Sequence, residues 1–264
     1  VNDLLESVLA DLAAESGALD EAVASLTDEQ WRQPTPAEGW TIAHQVIHLA
    51  WTDEAAVKAA GPKADWDAFL TEMFELGVGD AVDRTAGEGA TMTGSAILTR
   101  WRGSRADLAA TLRGVPDGQK LPWFGPPMSP VSMATARFME TWAHGLDVYD
   151  GLGVTVEPTD RIRHVVHIGV RTRNFAFQNN GLEPPAEEFR VELTAPSGEV
   201  WTYGPEDAVQ RVTGSAYDFC LRVTQRRHRD DLDLKATGPD ADQWLDIAQA
   251  FAGPSGAGRE ATRA

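Results

Sequence analysis

The stretch Phe138-Met139-Glu140-Thr141-Trp142-Ala143-His144-Gly145-Leu146-Asp147-Val148-Tyr149-Asp150 reads as a helix. Glu140, His144 and Asp147 then fall at i, i+4 and i+7 and share one face, while Met139, Trp142, Leu146 and Tyr149 take other faces and can pack. A carboxylate and an imidazole one turn apart can grip the same divalent cation. Zinc accepts such nitrogen and oxygen ligands and needs at least one more. The spacing alone is also that of a solvated helix pair, so a second donor has to be found elsewhere.

It lies about ninety residues upstream, in Gly39-Trp40-Thr41-Ile42-Ala43-His44-Gln45-Val46-Ile47-His48-Leu49-Ala50. Thr41 is a plausible N-cap for a helix over 42–60, with Ala43, Val46, Ile47 and Ala50 on its packing face. Metal sites in bundles are built from side chains on facing helices. His48, Glu140 and His144 make three protein ligands with an open fourth position, the arrangement of a catalytic zinc. His44, one turn earlier, is the rival of His48 and is otherwise a supporting or first-turn histidine. His48 is favoured because it sits deeper in the helix beside Ile47 and Leu49. Asp147 is either a hydrogen-bond partner that orients an imidazole or an ordinary exposed acid.

The surrounding chain reads as two units. Helical spacing covers 3–26, 66–76, 95–112, 131–150 and 159–178, whereas Gly77–Gly94 has no clear period. Pro116–Pro130 is a loop whose Trp123 and Phe124 suit a wall or lid over a site, or simply a packed surface loop. Beyond Pro185 the period changes to two: strands are expected at 189–194, 200–203, 210–213 and 232–236, with helices at 215–226 and 241–251. The expectation is a mainly α protein, with a helical bundle over 1–180, a small α+β domain over 186–251, a linker between them, and a disordered glycine-rich tail over 252–264.

Composition excludes several classes. The 264 residues carry 40 acidic against 23 basic side chains, a net charge of −17, which argues against nucleic-acid and anionic-membrane surfaces. No apolar run reaches the ~18 residues of a membrane span. The N-terminal stretch, with Asp3, Glu6, Asp11 and Glu15, lacks the basic region of a signal peptide, so a cytoplasmic location is expected. The single cysteine, Cys220, rules out an intramolecular disulfide or CxxC motif and reads as a buried helical residue. His164 and His167 read as structural or surface residues. The basic run Arg222-Val223-Thr224-Gln225-Arg226-Arg227-His228-Arg229 is either an anion site or cations placed at a helix C-terminus. Phosphate-loop, GxSxG and dinucleotide patterns are absent.

The residues Pro34-Thr35-Pro36, Gly39-Trp40-Thr41, His48-Leu49-Ala50 and Glu140–Val148 together resemble the DinB-like superfamily. More narrowly they resemble the mycothiol-dependent maleylpyruvate isomerase family. Val212-Thr213-Gly214-Ser215-Ala216, Phe219 and Arg226 are similar to the small α+β domain of those proteins. The resemblance implies a DinB-like four-helix bundle that holds a divalent metal, usually zinc, on His48, Glu140 and His144. It also implies mycothiol as the thiol cofactor, isomerisation or S-transfer as the reaction, and a part in activity for Arg226. Where many relatives carry Trp-Leu-x-Gly-Arg, this chain has Arg222-Val223-Thr224-Gln225-Arg226, which points to a distinct subfamily with its own substrate. The expected class is therefore an enzyme, a mycothiol-dependent isomerase or thiol transferase acting on a small electrophile with or without a carboxylate, with a homodimer left open. The alternatives are a thiol-independent zinc-hydroxide hydrolase, hydratase or lyase, and a non-enzymatic metal- or ligand-binding module.

Overall fold

In the computed structural model, which describes residues 3–256 and 258–262, the five helical periods of the N-terminal half become helices, and two further helices lie between them. α1 (Asp3–Val23) buries Leu5, Val8, Leu9, Leu12, Leu19 and Val23 on one stripe. α2 (Asp28–Trp31) is one turn closed by a capping box between Thr27 and Gln30. α3 (Ile42–Ala60), α4 (Lys63–Glu75), α5 (Val78–Gly89), α6 (Gly94–Gly114) and α7 (Pro130–Leu152) follow. α7 starts on Ser129, whose side chain accepts from the Ser132 N–H, and stops at Gly153 in the left-handed region (φ 67°). α3 packs along α6 and α7, and α1 along α7, which is the four-helix bundle. Ile42, Val46, Ile47, Ile97, Trp101 and Val148 lie in its core. Ion pairs from α6 clamp its rim: Arg100 to Glu54, Arg105 to Asp20 and Arg113 to Glu6.

The segment 77–94, where no period is legible, contains α5. Its buried residues are the small Ala81 and Ala86, followed by Ala90 at its end, so no large apolar stripe marks it. The close fit explains the small residues: a Cβ on Gly89 would come within 2.5 Å of the Ile47 side chain. After α6 the chain loops back through a bridge in which Leu121 and Met128 exchange backbone hydrogen bonds of 2.7 and 2.9 Å.

The chain divides into Val1–Val156 and Glu157–Ala264, not at the linker-like segment near 180–186. The helix expected at 159–178 thus belongs with the C-terminal unit. It is also broken in two, α8 (Arg163–Arg171) and α9 (Arg173–Asn179). Thr172 sits at the break, and its hydroxyl donates back to the Ile168 carbonyl (2.9 Å). Gly169 is what lets α8 dock: a Cβ there would lie 2.9 Å from both Phe219 and Val223.

The remaining elements of this unit are β1 (Arg190–Thr194), β2 (Val200–Tyr203), β3 (Arg211–Ser215), α10 (Ala216–Val223), β4 (Lys235–Thr237) and α11 (Pro239–Ile247). The sheet order is β2-β1-β3-β4. β1 runs antiparallel to β2, with Leu193 opposite Trp201, and parallel to β3, with Val191 opposite Val212. β4 closes the sheet antiparallel to β3. Trp244 of α11 meets Phe189 and Phe219 edge-on at 5.8 and 5.7 Å. The expected disordered tail is tied down where it is described: Asn179 and Gln249 donate to the Gly253 carbonyl, and the Thr262 N–H donates to Asp231.

Candidate metal centre

α3 and α7 face each other across the bundle, and their polar groups meet at one place. His48, Glu140 and His144 each offer a ligand atom within 4.8 Å of the others. Glu140 Oε2 lies 3.1 Å from His144 Nε2 and 3.9 Å from His48 Nε2. The imidazole centroids are 4.6 Å apart. Trp40 forms a wall over both rings, edge-on to His48 at 5.3 Å and stacked on His144 at 6.0 Å. Its indole N–H is held by Asp83 of α5 (2.9 Å).

A chain of hydrogen bonds sets the tautomer of His144. The Thr35 hydroxyl donates to the Trp40 carbonyl (2.8 Å), so its oxygen must accept from Gln45 Nε2 (2.9 Å). That turns Gln45 Oε1 towards His144 Nδ1 at 2.5 Å. Nδ1 therefore carries a proton and donates to Gln45, while Nε2 faces Glu140 Oε2. Burial brings the His48 pKa down to about 4, with help from the neighbouring His144 and Arg137, so His48 is a neutral imidazole at physiological pH. Burial alone would raise the Glu140 pKa, but its contacts with the two imidazoles and the nearby Arg137 guanidinium hold it well below the carboxylate norm. Two imidazoles and one carboxylate converging in a largely buried place are the donor chemistry of a divalent-metal site.

His44 stands apart from this group. Its Nδ1 accepts from the Thr41 backbone N–H (3.2 Å) and lies 2.8 Å from the Thr41 hydroxyl, so it caps the start of α3. Asp147 is buried, at 3 % exposure, rather than an exposed acid. The Nδ1 of His144 is met by Gln45. Gln45 is fully buried one turn before His48, and the spacing of a polar amide next to a candidate ligand was the only sequence signal for it. The loop aromatics belong to the same face: Trp123 stacks on Trp66 at 5.9 Å and Phe124 lies 6.1 Å from Phe69.

Arg226 lies in the other unit, beyond α10, where its Nη1 donates to the Thr224 carbonyl (2.9 Å). Most of the basic run around it is structural. Arg222 donates to the Leu245 and Asp246 carbonyls at the end of α11, and Arg229 pairs with Asp242 and Asp246. Cys220 is fully buried, its thiol 3.6 Å from the Ile162 carbonyl, and burial pushes its pKa well above the usual thiol range. It is no nucleophile.

A four-helix bundle with a His/Glu/His set across two facing helices, followed by a small α+β unit, is a DinB-like fold with a metal-type site. The chain belongs to the mycothiol maleylpyruvate isomerase N-terminal domain family, whose model matches residues 12–149. Residues 185–237 match a family described as wyosine base formation. The uncharacterized proteins Rv0036c and MT0041 of two Mycobacterium tuberculosis strains, H37Rv and CDC 1551, are each 56% identical over 251 residues, covering 95% of this chain and 97% of theirs. The crystal structures of the mycothiol-dependent maleylpyruvate isomerase and of an alanine mutant of it superpose with a TM-score of 0.59. They cover 89% of this chain and 95% of theirs at 16% identity, a likeness of fold. Among the described residues no helix is long and apolar enough to cross a membrane.

Proposed function

We propose that the protein is a metal-dependent enzyme in which a low-molecular-weight thiol of the mycothiol type attacks a small electrophile, with isomerisation or S-transfer as the outcome. The observation that carries this reading is the convergence of His48 Nε2 and His144 Nε2 on Glu140 Oε2, with the tautomer of His144 dictated from Gln45. These three residues would hold the ion, and zinc suits the donor set. When bound, such an ion lowers the pKa of a sulfhydryl so that thiolate is available at neutral pH. The thiolate sulfur forms a C–S bond to an electrophilic carbon, and the displaced electron pair moves onto an adjoining carbonyl. Rotation and loss of the thiolate then return an isomer, while retention of the C–S bond gives a conjugate. Trp40 covers the two imidazoles and limits water on that side. Family resemblance adds Arg226 as a contributor to turnover.

Metal content of protein purified without chelator tests this directly. About one divalent ion per chain is expected in the wild type and none in His48→Ala, Glu140→Ala or His144→Ala. Gln45→Leu should retain the site but bind ~10–100-fold more weakly, and Arg226→Ala should keep the metal while losing turnover. A metal-free wild type after incubation with Zn²⁺, or turnover in the absence of any thiol, would sink the reading.

A further inference from the structure

Arg137 lies one turn before Glu140 on α7, on the face that also carries His144. Its residue exposure is 3 %. An arginine is charged at any physiological pH, and a buried guanidinium ordinarily finds carboxylates or carbonyls for its N–H groups. This one does not. Nε and Nη1 have no hydrogen-bond partner. Nη2 comes no nearer than 3.9 Å to Glu140 Oε1, an ion pair too long for a hydrogen bond. Asp53, the other acid that acts on Arg137, has its carboxyl pKa lifted by burial to about 7 and is itself bonded to Ser104, so it neutralises the guanidinium only in part.

The surroundings are built rather than accidental. The Trp123 indole lies over the guanidinium at 5.1 Å. An aromatic series then runs through Phe124, Phe69 and Trp51 to the His48 ring, each step about 6 Å or less between centroids. A cation with unmet N–H groups thus stands beside Glu140, and the aromatic wall links its Trp123 cover to the His48 ring. The indole lies over a guanidinium whose Nε and Nη1 are buried and unmet, and a carboxylate is the group that meets such a fork. A divalent ion on His48, Glu140 and His144 would add charge of the same sign, which makes an anion the natural occupant.

We propose that Arg137 binds a carboxylate of the ligand that occupies the metal face, so that the site selects small molecules carrying an anionic carboxylate at one end and the reacting group at the other. The inference rests on the proposed reading of this face as a site for a small electrophile and a thiol. It assigns the carboxylate to Arg137 of the bundle instead of to the arginines of the C-terminal unit.

The test compares 3-mercaptopropanoate with 3-mercaptopropanol on the full chain loaded with Co²⁺, following the sulfur-to-cobalt charge-transfer band. The wild type is expected to bind the carboxylate about tenfold more tightly, the effect of one charge-assisted hydrogen bond. In Arg137→Met that ratio should fall to about one with Co²⁺ content unchanged, and Arg137→Lys should retain part of it. Should Arg137→Met fail to fold, Arg137→Gln is read in the same way. The same preference in wild type and variant, no preference in the wild type, or loss of Co²⁺ with an unaltered ratio would each overturn the assignment; the last would make Arg137 a support for Glu140. If the wild type takes up no Co²⁺, the metal reading fails on its own. Thermal protection of the metal-free protein by propanoate over propanol then decides the matter: an Arg137-dependent rise in Tm upholds the proposal, and none overturns it.

Discussion

Arg137 in α7 and Arg222 in α10 are both buried, at 3 % and 8 % exposure, yet they are treated in opposite ways. Arg222 donates from Nε and Nη2 to the last carbonyls of α11, which closes a helix end that would otherwise leave acceptors unmet. Arg137 has two nitrogens with no partner at all, next to His48, whose Nδ1 is also unpartnered. Where a buried charge is satisfied by its own backbone, it holds the fold together. Where several polar groups stay unsatisfied in one place, stability has been given up for something that binds there.

The comparison can be broken most sharply through Arg222. Arg222→Met strands the Leu245 and Asp246 carbonyls, and a loss of about 3 kcal/mol is expected in urea unfolding of the C-terminal unit. The same change at Arg137 removes a guanidinium whose ion pair to Glu140 is 3.9 Å long and whose Nε and Nη1 are unmet, so a clearly smaller loss is expected without ligand. Equal losses at the two positions would erase the distinction.

A smaller and pH-dependent effect is expected at Asp53. Burial raises its carboxyl to about 7 from its ordinary value of 3.8, so the folded protein keeps a proton that the unfolded chain releases between those values. Stability therefore falls as pH rises through that window and stays lowered above it. Asp53→Asn removes the dependence, and its Tm advantage over wild type should widen by the equivalent of about 2–3 kcal/mol between pH 5 and pH 8. A constant difference across that range would show that Asp53 is not held protonated.

The least effect concerns the turn after α10. Gln225 adopts φ 57°, the only non-glycine residue in the left-handed region among those described. The Arg226 N–H reaches back to the Leu221 carbonyl (2.8 Å) and the Gln225 N–H to Arg222 (3.0 Å), a Schellman closure whose usual central residue is glycine. A glutamine held in this region carries a local cost. Gln225→Gly should stabilise by about 0.5–1 kcal/mol, seen as a rise in Tm.

Much of this was legible in the chain itself. The apolar stripes of α1, α3, α6 and α7 are long and strongly periodic, and the alternation of β1 and β2 is equally clear. Glu140 and His144 are locked together by helical spacing, and His48 is selected over His44 by its depth. The less legible parts have physical causes. α5 packs through alanines and Gly89 rather than large apolar residues, so its period carries little signal. The single helix expected over 159–178 is broken by the Thr172 hydroxyl competing for a backbone carbonyl, which composition does not reveal. The basic run reads as one feature in sequence, yet Arg222 and Arg229 are committed to α11.

Sequence alone determined what local rules control: which residues share a helix face, that a helix runs through 131–150, and that one glutamate and two histidines of metal-ligand type sit on two helices. Tertiary structure decided what depends on distance between segments far apart in the chain. Gln45 finds His144 across 99 residues, Asp53 and Arg137 come to act on one another, and α8 joins the sheet unit through Gly169. Helical periodicity is a property of neighbours in the chain, whereas the burial and pairing of a charge are settled only when distant elements pack against it.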